Sequence, residues 1–219
     1  MFRNLITLTG LVLHDPRPNE SHPASLYTHV RLILPNSAFL ATVELKSHLC
    51  IGECKIVFQN NVTRVASRFV RNDVIFVSGY LITGYIRDSR VTTNKIIANY
   101  AASVDTASFD ESDSLNHIEI SGLLGSDPVE TSRPFHAWSV PLSPHLSPEL
   151  HPLHPSARPQ FRRYQVMFSE LIADKAIQYL KNDLVLVCGH FIPSCACHAR
   201  TSTNCIVANS MTRLGNSRP

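Results

Sequence analysis

The sequence contains no apolar run long enough to cross a membrane, and few of its side chains are aromatic or charged. A membrane-spanning helix needs about 20 consecutive apolar residues, so we expect no association with a membrane. Aromatic residues make up only 8% of the chain and include a single Trp. The formal net charge is +3, which permits binding to nucleic acid but is equally common in domains that do not bind it.

Sequence motifs of catalysis are also missing. The chain has no Gly-rich loop that could hold a phosphate, no paired acidic residues in a repeated motif and no nucleophile elbow. We therefore predict a protein that is not an enzyme and needs no cofactor. Residues 1–4 lead directly into a predicted strand, so we expect neither a secretory signal nor a transit peptide. The six cysteines are then expected to be reduced thiols.

What the sequence does contain is an internal repeat. Three blocks recur in the same order, and the two occurrences of each block are 110 or 112 positions apart. The paired blocks are residues 4–16 and 116–128, residues 58–79 and 168–189, and residues 93–99 and 203–209. Three matched blocks at nearly one period indicate two copies of one domain.

The repeat divides the 219 residues into two domains of roughly 105 residues each, a common domain size. We place the first domain at residues 1–104, an acidic, Ser-rich linker at residues 105–114 and the second domain at residues 115–215. The hydrophobic content of 44% is sufficient for two modest cores.

Within the first copy, alternating apolar and polar residues predict strands separated by turns. The predicted strands are residues 4–13, 27–34, 55–58, 74–80 and 92–98, with a loop at 14–25, a helix at 61–70 and a hairpin tip at 83–89. Residues 39–45 fit either a further short strand or the far arm of a hairpin. The second copy repeats this order, but a Pro- and His-rich loop at residues 141–159 stands between its second and third strands.

Five strands with one helix between the third and the fourth follow the plan of the OB-fold barrel. We therefore predict an all-β protein with one short helix per domain, built as two tandem five-stranded OB-fold barrels.

The repeated blocks resemble a known family. Residues 116–128 follow the pattern N-x-I-x-I-x-G-x-L-G-x-D-P, residues 164–189 continue it through a strand, a helix and a strand, and residues 58–79 match in the first copy. These motifs are similar to those of the bacterial-type single-stranded DNA-binding protein (SSB) family, which bacteria, mitochondria and plastids share, and of its relative PriB. RNA-editing accessory proteins of trypanosome mitochondria resemble the same family.

The resemblance implies a protein that binds single-stranded DNA or RNA without catalysis, in a mitochondrion or otherwise in the cytoplasm or nucleus. It also implies a homo-oligomer or a subunit of a larger protein or RNA assembly, because two barrels in one chain imitate the dimer of a one-barrel relative. The chain departs from the family at residues 212–219, which are basic where many relatives have an acidic tip.

Proteins of this kind stack bases on aromatic rings and contact phosphates with Lys and Arg. The resemblance places the rings on the second strand, around the third strand and on the hairpin between the fourth and fifth strands. In the first copy, these places hold Tyr27, Arg31, Phe39, Phe58, Tyr85, Arg87, Arg90 and Lys95. Gly52 stands where the family usually carries a Trp. Phe58 suits the core as well as it suits stacking, whereas a ring with two cations at a hairpin tip has little other use.

The second copy has fewer such residues. Its predicted hairpin, residues 193–200, contains no aromatic side chain. The candidates in this copy are Trp138, Arg162, Arg163 and Tyr164. A lone Trp on a strand also fits a core position. We infer that the copies have diverged, so that the first retains more binding chemistry and the second holds protein contacts.

The second hairpin has a cluster of soft metal ligands instead. The cluster consists of Cys195, Cys197, His198 and Cys205. Four such ligands could hold a tetrahedral zinc ion, but their spacing is not that of a usual zinc knuckle. Free thiols across a hairpin are the favoured interpretation, so no metal is expected.

A second function is compatible with the same sequence. The small set of aromatic residues and the long Pro- and His-rich loop favour a structural subunit of a large mitochondrial ribonucleoprotein, such as a ribosome or an RNA-editing complex. Such a subunit would act mainly through protein–protein contacts.

Overall fold

The computed structural model describes residues 3–20, 22–33, 53–86, 91–110, 114–131, 137–144, 164–168, 170–195 and 203–216. In the first copy, the strands are β1 (Asn4–Val12), β2 (Arg17–Asn19), β3 (His22–Leu32), β4 (Glu53–Phe58), β5 (Val74–Ile86) and β6 (Val91–Ser103), with helix α1 (Asn61–Ala66) between β4 and β5. In the second copy, they are β7 (Asn116–Leu124), β8 (Val129–Thr131), β9 (Ala137–Pro144), β10 (Tyr164–Phe168), β11 (Asp183–Cys195) and β12 (Thr203–Asn216), with helix α2 (Glu170–Ala176) between β10 and β11.

Each copy closes into a five-stranded barrel. In the first copy, β1 pairs with β3 and β5, β3 pairs with β4, and β6 pairs with both β4 and β5. The second copy repeats this ring with β7, β9, β10, β12 and β11. Strands β2 and β8 add short hairpin partners to β3 and β9. The predicted all-β fold of two OB barrels is confirmed.

The inner side of each barrel is filled by alternate residues of the strands, since successive side chains of a strand point to opposite faces. Ile6 and Leu8 of β1 and Ile56 and Phe58 of β4 are fully buried. The Phe58 ring meets the Phe69 ring edge-on, with 5.8 Å between their centroids. The equivalent core residues of the second copy are Ile118, Ile120, Val166 and Phe168, each at most 1% exposed.

Helix α1 ends four residues earlier than the predicted helix at residues 61–70. Beyond Ala66, the backbone N–H groups of Arg68 and Phe69 donate to carbonyls three residues back instead of four, which tightens the turn. The tighter turn leads the chain to Phe69, whose side chain is buried in the core. No helix among the described residues is long and apolar enough to span a bilayer.

Two segments predicted as loops prove to be strands in part. Residues 14–25 contain β2 and the first residues of β3. The predicted loop at residues 141–159 begins inside β9, where Pro141 stands opposite Gln165. Proline lacks the backbone donor but keeps the acceptor, and the Pro141 carbonyl accepts a hydrogen bond from the Gly125 N–H at 2.7 Å. Residues 39–45 and the tip at 87–90 lie outside the described part of the chain.

The same turn precedes the fourth barrel strand in both copies. Asn72 and Asn182 have positive φ angles of 75° and 70°, a left-handed conformation that Asn adopts more readily than most residues. Their N–H groups donate to the carbonyls of Val12 and Leu124 at 2.9 and 2.8 Å. Each Asn therefore ties its turn to the end of the first strand of its own barrel.

The two barrels share one continuous sheet. Strands β1 and β7 pair antiparallel, with Ile6 opposite Ile118. These residues hold the same position in their copies, so a local two-fold axis passes between them. The flanking hydrogen bonds agree with this symmetry: the Thr9 N–H donates to the Leu115 carbonyl at 2.7 Å, and the equivalent Ser121 N–H donates to the first copy at 2.9 Å.

Two glycines stand where the backbones of neighbouring strands nearly touch. Gly79 of β5 and Gly189 of β11 each follow a β-bulge. A Cβ atom there would lie 2.1 Å from the carbonyl oxygen of Ile97 or Val207. Because that neighbour is backbone of the same sheet, it cannot move without breaking the strand pairing.

We expect Gly79→Ala and Gly189→Ala each to lower the free energy of unfolding by about 1–3 kcal/mol, the usual cost of overpacking. Urea denaturation monitored by circular dichroism measures the change. The matched control is Gly215→Ala, because no atom lies within 4 Å of a Cβ at that position, and its effect should stay within about 0.5 kcal/mol. Equal effects of all three substitutions would contradict the assignment.

Candidate nucleic-acid interface

The outer side of β3, β4 and β6 in the first barrel carries an aromatic ring and several cations. Residues 28, 30 and 32 of β3 are buried, so the alternate side chains of this strand lie on the outside. The register places His29 opposite Lys55, and Lys55 beside Lys95. We call Tyr27, His29, Arg31, Lys55 and Lys95 the Tyr27 surface.

The half-buried ring of Tyr27 is the centre of this surface. The ammonium nitrogen of Lys55 lies 3.8 Å from the centroid of the ring, which is a cation–π contact. The rings of His14 and His29 each approach Tyr27 edge-on, with centroid distances of 5.9 Å. These contacts hold the tyrosine ring in place on the outer side of the barrel.

The positive groups of the Tyr27 surface are close enough to influence one another. Burial and then the neighbouring Lys95 charge lower the pKa of Lys55, against an opposing effect of Glu20. Burial, followed by the charges of His14 and Lys55, lowers the pKa of His29, against an opposing effect of Glu53. Like charges disfavour one another in this way, so an anion placed among them would relieve the repulsion.

This arrangement has the two components that a single nucleic-acid strand requires. An aromatic ring can stack on a base, and ammonium or guanidinium groups can contact the phosphates on either side of that base. Arg31 and Lys95 are exposed to solvent and can therefore reach a strand without any rearrangement of the barrel.

The structure brings Tyr27, Arg31 and Lys95 together, as three of the eight candidates of the first copy. Phe58 is wrong as a stacking residue, because its side chain points into the barrel and is fully buried. The backbone of Tyr85 lies on β5, opposite Thr92. Phe39, Arg87 and Arg90 lie outside the described residues.

The second barrel does not repeat this surface. The equivalent register positions place Ser139 where the first barrel has Tyr27, Gln165 where it has Lys55 and Cys205 where it has Lys95. Ring and cations are thus replaced together, by residues that neither stack on a base nor attract a phosphate.

The other binding candidates of the second copy lie in the barrel core, against it, or outside the described residues. Tyr164 is wrong as a binding residue, because it points into the barrel and is only 1% exposed. Trp138 lies opposite Phe168 and packs half-buried against the core. Arg162 and Arg163 lie outside the described residues.

The structure describes only two of the four residues weighed as zinc ligands, Cys195 and Cys205. Cys205 is fully buried on β12 and stands beside Gln165 of β10. Cys195 ends β11, whereas Cys197 and His198 lie outside the described residues. Within the described part of the chain, no group of three or more His, Cys, Asp or Glu side chains could hold a metal ion.

Two members of the Tyr27 surface, Lys55 and His29, were not among the candidates predicted from the sequence. Lys55 is the only cation of β4, and it comes next to Tyr27 only through pairing with a strand more than 20 positions earlier. Alternation along β4 places Lys55 on the outer side, which is the only signal the sequence offers for it.

His29 should make the stability of the protein depend on pH. Its Nδ1 lies 2.9 Å from Nε2 of His14, a contact that requires one of the rings to be neutral. Because the pKa of His29 is lowered in the folded protein, the unfolded chain binds more protons below about pH 6.5. The contribution of neutral His29 is therefore present above that pH and is lost as the pH falls towards the folded-state pKa.

We expect the free energy of unfolding to fall less between about pH 7.5 and about pH 5.5 in His29→Gln than in the wild type. Urea denaturation at both pH values measures the difference. The control is His22→Gln, on the same strand but outside this cluster, which should behave like the wild type. An unchanged pH dependence in His29→Gln would contradict the prediction.

The fold is similar to that of solved single-stranded DNA-binding proteins. No protein-family model and no curated protein sequence matches the chain. The crystal structure of wild-type single-stranded DNA-binding protein from Thermus aquaticus matches with a TM-score of 0.64 and 14% identity, covering 100% of this chain and 96% of that chain. A deletion mutant of the same protein matches with a TM-score of 0.63 and 16% identity, covering 100% of this chain and 97% of that one. The resemblance to SSB is thus confirmed as a likeness of fold that extends over the whole chain.

Proposed function

We propose that this protein binds single-stranded nucleic acid, without catalysis, and that the strand lies on the Tyr27 surface of the first barrel. The observation that carries the proposal is the cation–π pair of Tyr27 and Lys55, with Lys95 beside it on the next strand. A stacking platform flanked by cations is the general means by which OB barrels hold single strands.

Single-stranded DNA is the first ligand to test. The similar solved structures from Thermus aquaticus are single-stranded DNA-binding proteins, and stacking together with phosphate contacts requires no 2′-hydroxyl. Preference for RNA is therefore one outcome of the binding measurement and not a separate assumption.

The Tyr27 surface acts in two steps in this proposal. Phosphates first attract the ammonium groups of Lys55 and Lys95, whose mutual repulsion is relieved by the anion. Movement of Lys55 towards a phosphate then frees the face of the Tyr27 ring for a base. Tyr85, Arg87 and Arg90 extend the surface along the hairpin in this proposal, on the basis of the sequence.

A structural role in a ribonucleoprotein is the second candidate. The observation that favours it is the replacement of the ring and both cations in the second barrel by Ser139, Gln165 and Cys205. A barrel without these groups is suited to hold protein contacts. In that case neither barrel would need to bind an isolated strand.

Tyr27→Ala should weaken binding of a fluorescent dT oligomer by about 1–3 kcal/mol, the usual value of one base-stacking contact. Fluorescence anisotropy at several salt concentrations measures affinity and its salt dependence. Lys55→Gln and Lys95→Gln should each reduce the slope of log affinity against log salt by about 0.7, the value of one phosphate contact in a single strand.

The matched controls are Ser139→Ala and Gln165→Ala, which change the equivalent positions of the second barrel and should leave affinity unchanged. A parallel titration with a U oligomer shows whether DNA or RNA is preferred. Absence of binding to both oligomers at low salt would reject the proposal and leave the structural subunit.

A double substitution, Tyr85→Ala with Arg87→Ala, tests the hairpin part of the surface. We expect weaker binding and a smaller salt dependence, because one ring and one cation are removed together. Unchanged affinity in the same anisotropy assay would restrict the interface to β3, β4 and β6.

A further inference from the structure

A small open cavity lies on the first barrel where β4 leads into α1. Its volume is about 290 Å³, and its lining includes Gln59, Asn60, Asn61, Tyr80 and Asn99. Drug-sized ligands occupy pockets of about 300–1,000 Å³, so this cavity has room for a single small ring system.

The polar groups around the cavity are available to a ligand. Asn60, Asn61 and Asn99 are exposed, and Gln59 is half-buried. Within the described part of the chain, the amide groups of these four side chains make no hydrogen bond to the protein. Burial raises the pKa of the Tyr80 hydroxyl, so this group stays neutral and able to donate. Amide groups and a hydroxyl group thus line the cavity beside an aromatic ring.

The cavity adjoins the Tyr27 surface. Val57 follows Lys55 by two residues on β4 and pairs with Ile97 of β6, which is also opposite Tyr80. The cavity therefore continues the rows of outer residues that carry Lys55 and Lys95. A strand lying along these rows would pass the opening of the cavity, where one nucleotide could turn inward.

We propose that this cavity holds one adenine base, turned out of a single strand that lies on the Tyr27 surface. An Asn or Gln amide matches adenine with two hydrogen bonds, accepting from N6 and donating to N7. Bases splayed out of a strand commonly stack on aromatic rings and are recognised at their edges. The proposal rests on the proposed function, to which it adds a preference for one base.

The second barrel has lost this cavity lining. His190 stands at the position of Tyr80, and its Nδ1 lies 2.6 Å from the Asn116 carbonyl oxygen. Its Nε2 lies 3.2 Å from the side-chain nitrogen of Asn209, the equivalent of Asn99. The one amide that both copies share is thus engaged within the protein in the second barrel. The adenine site belongs to the first barrel alone, and Asn209 offers a matched control.

The test compares oligomers of about 16 nucleotides, the upper end of the site size of one OB barrel. One oligomer is all dT, a second has a single central dA, and a third has 7-deazaadenine at that position. The full chain should bind the dA oligomer at least about five-fold more tightly than all dT, as expected for one bidentate pair. The 7-deaza base, which lacks N7, should lose this preference.

Asn61→Ala and Asn99→Ala should lower the preference for dA while the affinity for all dT stays within about two-fold. Asn209→Ala should retain the preference. Equal affinities of the wild type for dA and all-dT oligomers would overturn the adenine site and leave the proposed function intact. Failure to bind any oligomer would overturn both.

Discussion

Strand β1 changes its partner along its length, and the arrangement of the two barrels depends on that change. Residues 4–8 pair with β7, whereas residues 10–12 pair with β3 of their own barrel. At the point of change, a Cβ on Gly10 would lie 2.1 Å from a side-chain carbon of Val30, so only glycine allows the approach. Gly122 has the same role, because a Cβ added there would lie 2.3 Å from the Ser143 carbonyl oxygen. Each first strand thereby covers the edge of the other along residues 4–8 and 116–120, which removes one exposed edge from each barrel.

Closure of the sheet into barrels constrains the residues inside the barrels much more than those outside. Inward residues such as Phe58 and Phe168 remain aromatic and buried in both copies, because a closed barrel of this size must be filled. Outward residues have no such requirement. The same register position holds an exposed Lys95 in one barrel and a fully buried Cys205 in the other, so the copies can share a fold and differ on this side of the barrel.

The Tyr27 surface and the amide-lined cavity would act on a strand in different ways. Stacking on Tyr27 and contacts with Lys55 accept any base, and a protein with these alone could slide along a strand. A cavity that reads one base edge would stop the strand in a definite register. Because both features lie on the first barrel, one nucleic-acid segment could contact them together.

Much of the fold and part of the site follow from sequence, and the remainder depends on packing. The repeat and the alternation of apolar residues determined the two barrels, the helix between their third and fourth strands, and the outward placement of Tyr27 and Arg31. Alternation from Lys55 favoured an inward Phe58, but residues 56–58 are all apolar, so the pattern alone did not settle which face of β4 is buried. Only the tertiary structure decided that, and only strand pairing placed Lys55 on Tyr27 and gathered the amides of Gln59 and Asn99 around Tyr80. The physical reason is that periodicity is a local property of the chain, whereas which face is buried and which residues meet are set by register between strands distant in sequence.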